Sequence, residues 1–106
     1  MRKKIIFTTT DPESRTIRLD TEAWQHIKKR HPEIKTTSEV KQTIRKPDII
    51  IQNERRQTIT YSKTENMNLY SNVYARMNST YNEGSVATAY KTRTLPEGDV
   101  IWYKKD

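Results

Sequence analysis

The sequence predicts an α+β domain: an N-terminal β-hairpin, then two helices packed on one face of an antiparallel sheet of four to five strands. Three observations lead there. The stretches DTEAWQHIKKR and TTSEVKQTIRK each start on a capping residue and run up to a proline. After Pro47, short runs alternate apolar and polar residues. The segments between those runs, NERR, TEN, STYNEG and LPEGD, have the length and composition of hairpin turns.

In chain order, KKIIFTTTDPESRTIRL is two β-rich runs around DPES, where Pro12 presets a turn φ. Asp20 caps the first helix. Glu22 in its first turn and Lys28, Lys29 and Arg30 in its last complement the helix dipole. Pro32 stops it, because the residue before a proline is pushed out of the helical region. Thr36 and Glu39 are spaced as a capping box for the second helix. Val40 and Ile44 lie i,i+4 on its inward side, and Pro47 ends it. DIIIQN, RQTITYSK, MNLYSNVYARMN, SVATAYKTRT and VIWYK follow as strands.

No linker or internal repeat divides the 106 residues, so they form a single domain. Hydrophobic residues are only 32%, offset by six tyrosines and two tryptophans that bury large area each. The absence of cysteine excludes disulfides, thiolate catalysis and Cys-ligated zinc, and fits a reducing compartment. The N-terminus carries positive charge, but its apolar run is only Ile5, Ile6 and Phe7, far short of a signal h-region or membrane span. The expectation is a soluble, cytoplasmic protein without a membrane partner.

The net charge of +7 arises from 20 basic and 13 acidic side chains, at a pI of about 9.7. Basic clusters recur at Arg2-Lys3-Lys4, Lys28-Lys29-Arg30, Arg45-Lys46, Arg55-Arg56 and Lys104-Lys105. That points to a polyanion, and to nucleic acid before membrane, because no amphipathic apolar helix accompanies the charge. Period two sorts the strand residues into sides. Leu69, Ser71, Val73, Ala75 and Met77 oppose Tyr70, Tyr74 and Arg76; Ile59, Tyr61 and Lys63 share a side, as do Val86, Thr88 and Tyr90. A face carrying Tyr61, Lys63, Tyr74, Arg76, Thr88 and Tyr90 would combine stacking rings, cations and hydroxyls, as single-stranded RNA recognition requires. Half-buried sheet aromatics are the plain alternative for each tyrosine.

Both histidines fall in HIKKRHPEI, residues 26–34. Trp24, Ile27, His31 and Ile34 follow i, i+3, i+7, i+10, which puts His31 on the inward stripe. Helical phase turns His26 about 140° away from it, beside Arg30, so the two rings are not expected to act side by side or to share a metal. A ring bonded to loop backbone and a surface polar residue are the plain readings of His31 and His26. Against them, only histidine titrates near neutrality unperturbed, and both lie in the densest cationic stretch. There is no Gly-rich phosphate loop, GxSxG, HExxH or carboxylate pair for two-metal chemistry. RNA supplies its own nucleophile, the 2′-hydroxyl, so a protein need only take that proton, stabilise the phosphorane and protonate the 5′-oxygen.

The runs W-x-H-I-x-x-x-H-P-E-I (Trp24 to Ile34), V-x-x-x-I-x-x-P-D-x-I (Val40 to Ile50), Tyr61-x-Lys63 and V-x-T-A-Y (Val86 to Tyr90) follow one another in order. Over residues 16–92 this resembles the metal-independent ribonucleases of the barnase/EndoU/colicin/RelE-like superfamily, in particular phage- and plasmid-encoded members. The leading hairpin and the terminal VIWYK lie outside the match. The resemblance implies one ribonuclease-like domain over 1–106, with no cofactor and no metal. It implies His26 and His31 as acid and base, Lys63 and Arg76 as phosphate stabilisers, with Arg30 as a further cation. Thr88 would bond phosphate, and Tyr61 and Tyr90 would stack on bases or relay protons, beside Tyr74 of the same sheet-face reading. The reading is a toxin-like or mobile-element-associated endoribonuclease, with RNA as substrate and an acidic cognate inhibitor as partner if it is a toxin. A non-catalytic RNA-binding or regulatory module, and a structural, partner-binding protein of a mobile element, are the alternatives. Exposed edge strands would permit a homodimer.

Overall fold

The computed structural model describes residues 3–105. Its elements are β1 (Ile5–Thr10), β2 (Thr16–Asp20), α1 (Thr21–Arg30), α2 (Thr37–Arg45), β3 (Ile49–Asn53), β4 (Thr58–Asn66), β5 (Leu69–Met77), β6 (Glu83–Thr92) and β7 (Asp99–Tyr103). All seven strands join one sheet in the order β1-β2-β6-β5-β4-β3-β7. Every neighbouring pair is antiparallel except β2 and β6, which run parallel through Thr16–Glu83, Ile17–Gly84 and Arg18–Ser85.

This corrects the expected antiparallel sheet of four to five strands: the sheet is mixed and has seven. Alternation identifies a strand but not its neighbour. The hairpin does not stand apart from the meander, because β2 lies beside β6 across a long crossover. The last strand returns to β3 instead of following β6, with Ile50 opposite Trp102 and Ile51 opposite Val100.

The helices form where the residues demand. The Asp20 carboxylate accepts the Ala23 N–H at 2.8 Å, and the Thr36 hydroxyl accepts that of Glu39 at 3.1 Å. Glu39 reaches back to the Lys35 N–H at 3.2 Å, one residue before the capping threonine. Ile27, Ile34, Val40 and Ile44 enter one core with Ile17, Leu19, Ile59, Tyr61, Val73 and Ala89. α2 covers β1, β5 and β4, whereas α1 packs against β6 and β2. Because β2 stops pairing with β6 at Ser85, the rest of that side of β6 is free, and α1 with its following loop lies there. The Glu33 carboxylate takes the Lys91 N–H of β6 at 3.4 Å.

Cross-strand partners share a face, so the register separates the two sides of the sheet. The helix-covered side carries Ile17, Ile59, Tyr61, Lys63, Val73 and Ala75. The open side carries Thr58, Thr60, Tyr74, Arg76, Thr88 and Tyr90. In β6 the alternation breaks: Val86 faces Ala75 and Thr88 faces Tyr74, leaving Ala87 as the extra residue of a bulge. The bulge lets Val86 join the core while Thr88 and Tyr90 stay on the open side. The expectation that these three share a side is corrected accordingly. Among the described residues, no helix is long and apolar enough to cross a membrane.

Candidate active site

Two clefts meet on the open side. The first, about 520 Å³, lies between α1 and the sheet, and is lined by Lys3, Glu22 and His26 with Arg76 and Ser85. The second, about 480 Å³, crosses the sheet and is lined by Arg56, Thr58, Tyr74, Arg76, Thr88 and Tyr90, with Pro96 and Glu97 from the β6–β7 connection. Arg76 lines both. It projects from β5 opposite Thr58 and Ser85, and forms no ion pair among the described residues. In the first cleft Lys3 is paired with Glu22 at 3.6 Å, both well exposed, so this bridge adds little rigidity.

Helix phase does not separate the histidines. α1 ends at Arg30, and His31 leaves helical geometry at φ −134° and ψ 69°. Its ring swings back toward its neighbour: the His26 and His31 centroids are 6.5 Å apart, edge to face. His31 also lies 5.9 Å from the Tyr90 ring. The expectation that the rings stand apart is thus corrected, because Pro32 terminates the helix before His31 can take up its place in the stripe.

His31 Nδ1 is 3.4 Å from Glu33 Oε2, an arrangement that orients the ring. Burial opposes ionisation of Glu33, yet its own and the Lys91 backbone N–H groups, with the charge of His31, hold its carboxyl below the ordinary value. Burial, and then proximity to Tyr74, raise the Tyr90 phenol above its ordinary value, so near neutrality it is a hydrogen-bond donor, not a base. Two hydroxyls in the second cleft, Thr58 Oγ1 and Thr88 Oγ1, are enclosed without a hydrogen-bond partner among the described residues. Thr58 is only 2% exposed, so its unmet bond is costly unless something else occupies the cleft.

Of the residues singled out by sequence, His26, His31, Arg76, Tyr74, Thr88 and Tyr90 come together here. Arg30 is exposed on the last turn of α1 and lines neither cleft. Tyr61 and Lys63 do not belong: both point to the helix-covered side. Tyr61 is fully buried, its hydroxyl donating to Asp11 Oδ2 at 2.7 Å, and burial followed by that carboxylate pushes its phenol far up. Asp11 also accepts the Glu13 and Arg15 N–H groups and the Arg15 guanidinium, so Tyr61 ties the DPES turn to β4. Lys63 lies beside Asp48 and Trp102.

Sequence reasoning missed Thr58, Arg56, Lys3 and Glu33. Thr58 and Thr60 alternate with Ile59 and Tyr61, so placing the latter two in the core would have turned the threonines outward. Glu33, two residues beyond His31, was a visible carboxylate for its ring. Among the described residues no three metal-ligating side chains converge. A scan of protein-family models, a search of curated proteins and a search of solved structures each find no match to this chain.

Proposed function

We propose that the chain is an endoribonuclease that cleaves RNA by attack of the 2′-hydroxyl on the adjacent phosphorus. The O2′–P bond forms and the P–O5′ bond breaks, giving a 2′,3′-cyclic phosphate and a 5′-hydroxyl. The observation that carries this reading is that Arg76 lines both clefts, one with His26 and the other with Tyr90, which His31 contacts. His31, oriented by Glu33, takes the 2′-hydroxyl proton, and protonated His26 delivers one to O5′. Arg76 stabilises the charge that develops on the phosphorane oxygens. Tyr74 and Tyr90 supply stacking surfaces, and Tyr90 a hydroxyl donor. DNA lacks the nucleophile and would be bound without being cut. The excess of basic residues suits an RNA substrate, and an acidic protein covering the open side would inhibit the enzyme.

Incubation with total RNA in EDTA, against the His26→Ala/His31→Ala variant, tests the proposal. Wild type should cleave to cyclic phosphate ends, and the variant should bind RNA without cutting. Intact RNA in both tubes would leave a binding module, and cleavage by both would remove the histidines from the chemistry.

A further inference from the structure

Lys63 and the basic pairs Arg45-Lys46 and Lys104-Lys105 take no part in the open-side site, yet four of these five cations converge elsewhere. A cavity of about 280 Å³ lies at the β3–β7 margin, lined by Arg45, Lys46, Lys63 and Lys104 around Asp48 and the Trp102 indole. Distant parts of the chain build it. Arg45 closes α2 and Lys46 is its C-cap residue. Lys63 points to the helix-covered side of β4. Trp102 faces the same way from β7, opposite Ile50. The Lys104 N–H is held by the Asp48 carbonyl at 2.8 Å. The Asp48 carboxylate is occupied by the Thr64 N–H at 2.7 Å. Among the described residues none of the four cations takes part in an ion pair. One carboxylate among four cations leaves the cavity with an excess of positive charge, which favours an anion there.

We infer that this cavity is a second subsite for single-stranded nucleic acid, its cations holding backbone phosphates while a base stacks on Trp102. Cations around an aromatic platform are how single strands are bound without sequence readout. A cavity this narrow takes one base and its phosphate, and not a helix or loop of an acidic protein.

The subsite also connects with the first. Trp102 lines a groove along the free edge of β7 with Val100, Tyr103 and Lys105. Tyr103, 62% exposed, projects to the open side, while Trp102 projects to the other. The cross-strand row Tyr90–Asn72–Ser62–Ile49–Tyr103 therefore leads from the histidine site to the edge, and Trp102 leads round it. That row spans four strand spacings, roughly 19 Å. A strand several nucleotides long can occupy both sites, whereas a trinucleotide occupies one.

The inference relies on the ribonuclease reading only for the name of the polyanion. Its test uses single-stranded DNA of about 12 nucleotides, within the usual range of single-strand site sizes and not cleavable by 2′-hydroxyl attack. Affinity is read by fluorescence anisotropy over a salt series for Lys63→Gln/Lys104→Gln, Trp102→Ala and the charge-matched control Lys4→Gln/Lys35→Gln. The first variant should lose about tenfold in affinity and flatten the log–log salt slope by roughly 1.4, the value for two phosphates. Trp102→Ala should lose about tenfold through lost stacking. The control should stay within about twofold, and the first variant should cleave ribotrinucleotides at the wild-type rate. Unchanged DNA affinity, an equal loss in the control, or a change in self-association alone would each overturn the subsite. Wild type that binds DNA through these residues but cuts no RNA would overturn the catalytic reading and leave the subsite standing.

Discussion

Tyr61 and Tyr90 occupy neighbouring parts of one sheet and face opposite ways, and their surroundings differ accordingly. On the helix-covered side Tyr61 is wholly enclosed, and its hydroxyl is spent on Asp11, which Arg15 and two backbone N–H groups also engage. On the open side Tyr90 rests against His31 near two threonine hydroxyls that nothing among the described residues satisfies. The buried Tyr61 hydroxyl is paired internally, as a stable interior requires. The open side encloses two hydroxyls and carries the Arg76 guanidinium, for which the described residues supply no hydrogen-bond or ion-pair partner respectively. Identical residue types thus meet different surroundings according to the face on which alternation and the bulge place them.

The largest effect is expected at Tyr61. Tyr61→Phe removes a hydrogen bond to a buried carboxylate and should cost about 1.5–3 kcal/mol in urea unfolding. Tyr90→Phe should be close to neutral in the same measurement. Equal losses would mean that the two hydroxyls do the same work.

Thr58→Val sharpens it from the other side. Replacing an enclosed, unpartnered hydroxyl by a methyl should raise stability by about 1 kcal/mol while weakening RNA binding. A loss of stability would show that the hydroxyl is satisfied within the fold.

The smallest effect is on titration. Both phenols are raised, so the neutral forms are favoured by the fold. Their stabilisation is complete below the ordinary tyrosine value near 10 and is lost as pH rises through the folded values. Ultraviolet titration should therefore show Tyr61 and Tyr90 ionising late, and Tyr90→Phe should show one late phenol fewer than wild type. As many late phenols in that variant as in wild type would contradict the burial described for Tyr90.

Much of this was visible in the residues, and what was not has a physical cause. Asp20 and Thr36 announce their helices because capping is local chemistry. Pro32 announces the end of α1, but the consequence, His31 turning back to His26, depends on loop geometry that helical phase cannot supply. Strand pairing is non-local, so neither the parallel contact of β2 with β6 nor the return of β7 to β3 could be read from alternation. The face of each strand was equally ambiguous. Tyr61-x-Lys63 and Tyr74-x-Arg76 look alike as tripeptide patterns, and only their partners assign one to the helix-covered side and the other to the open side. The Ala87 bulge adds a residue that period two cannot anticipate.

Lys63 and Arg76 therefore bear most directly on the central claim, since both were candidate phosphate stabilisers and the sheet separates them. The decisive measurement is single-turnover cleavage of a mixed ribotrinucleotide pool in EDTA by Arg76→Ala and Lys63→Ala, side by side. Catalysis on the open side predicts that Arg76→Ala loses roughly 10²–10³-fold in rate, the usual loss for one stabilising donor, while Lys63→Ala keeps the wild-type rate. Retained activity in Arg76→Ala, with the loss falling on Lys63→Ala, would contradict it.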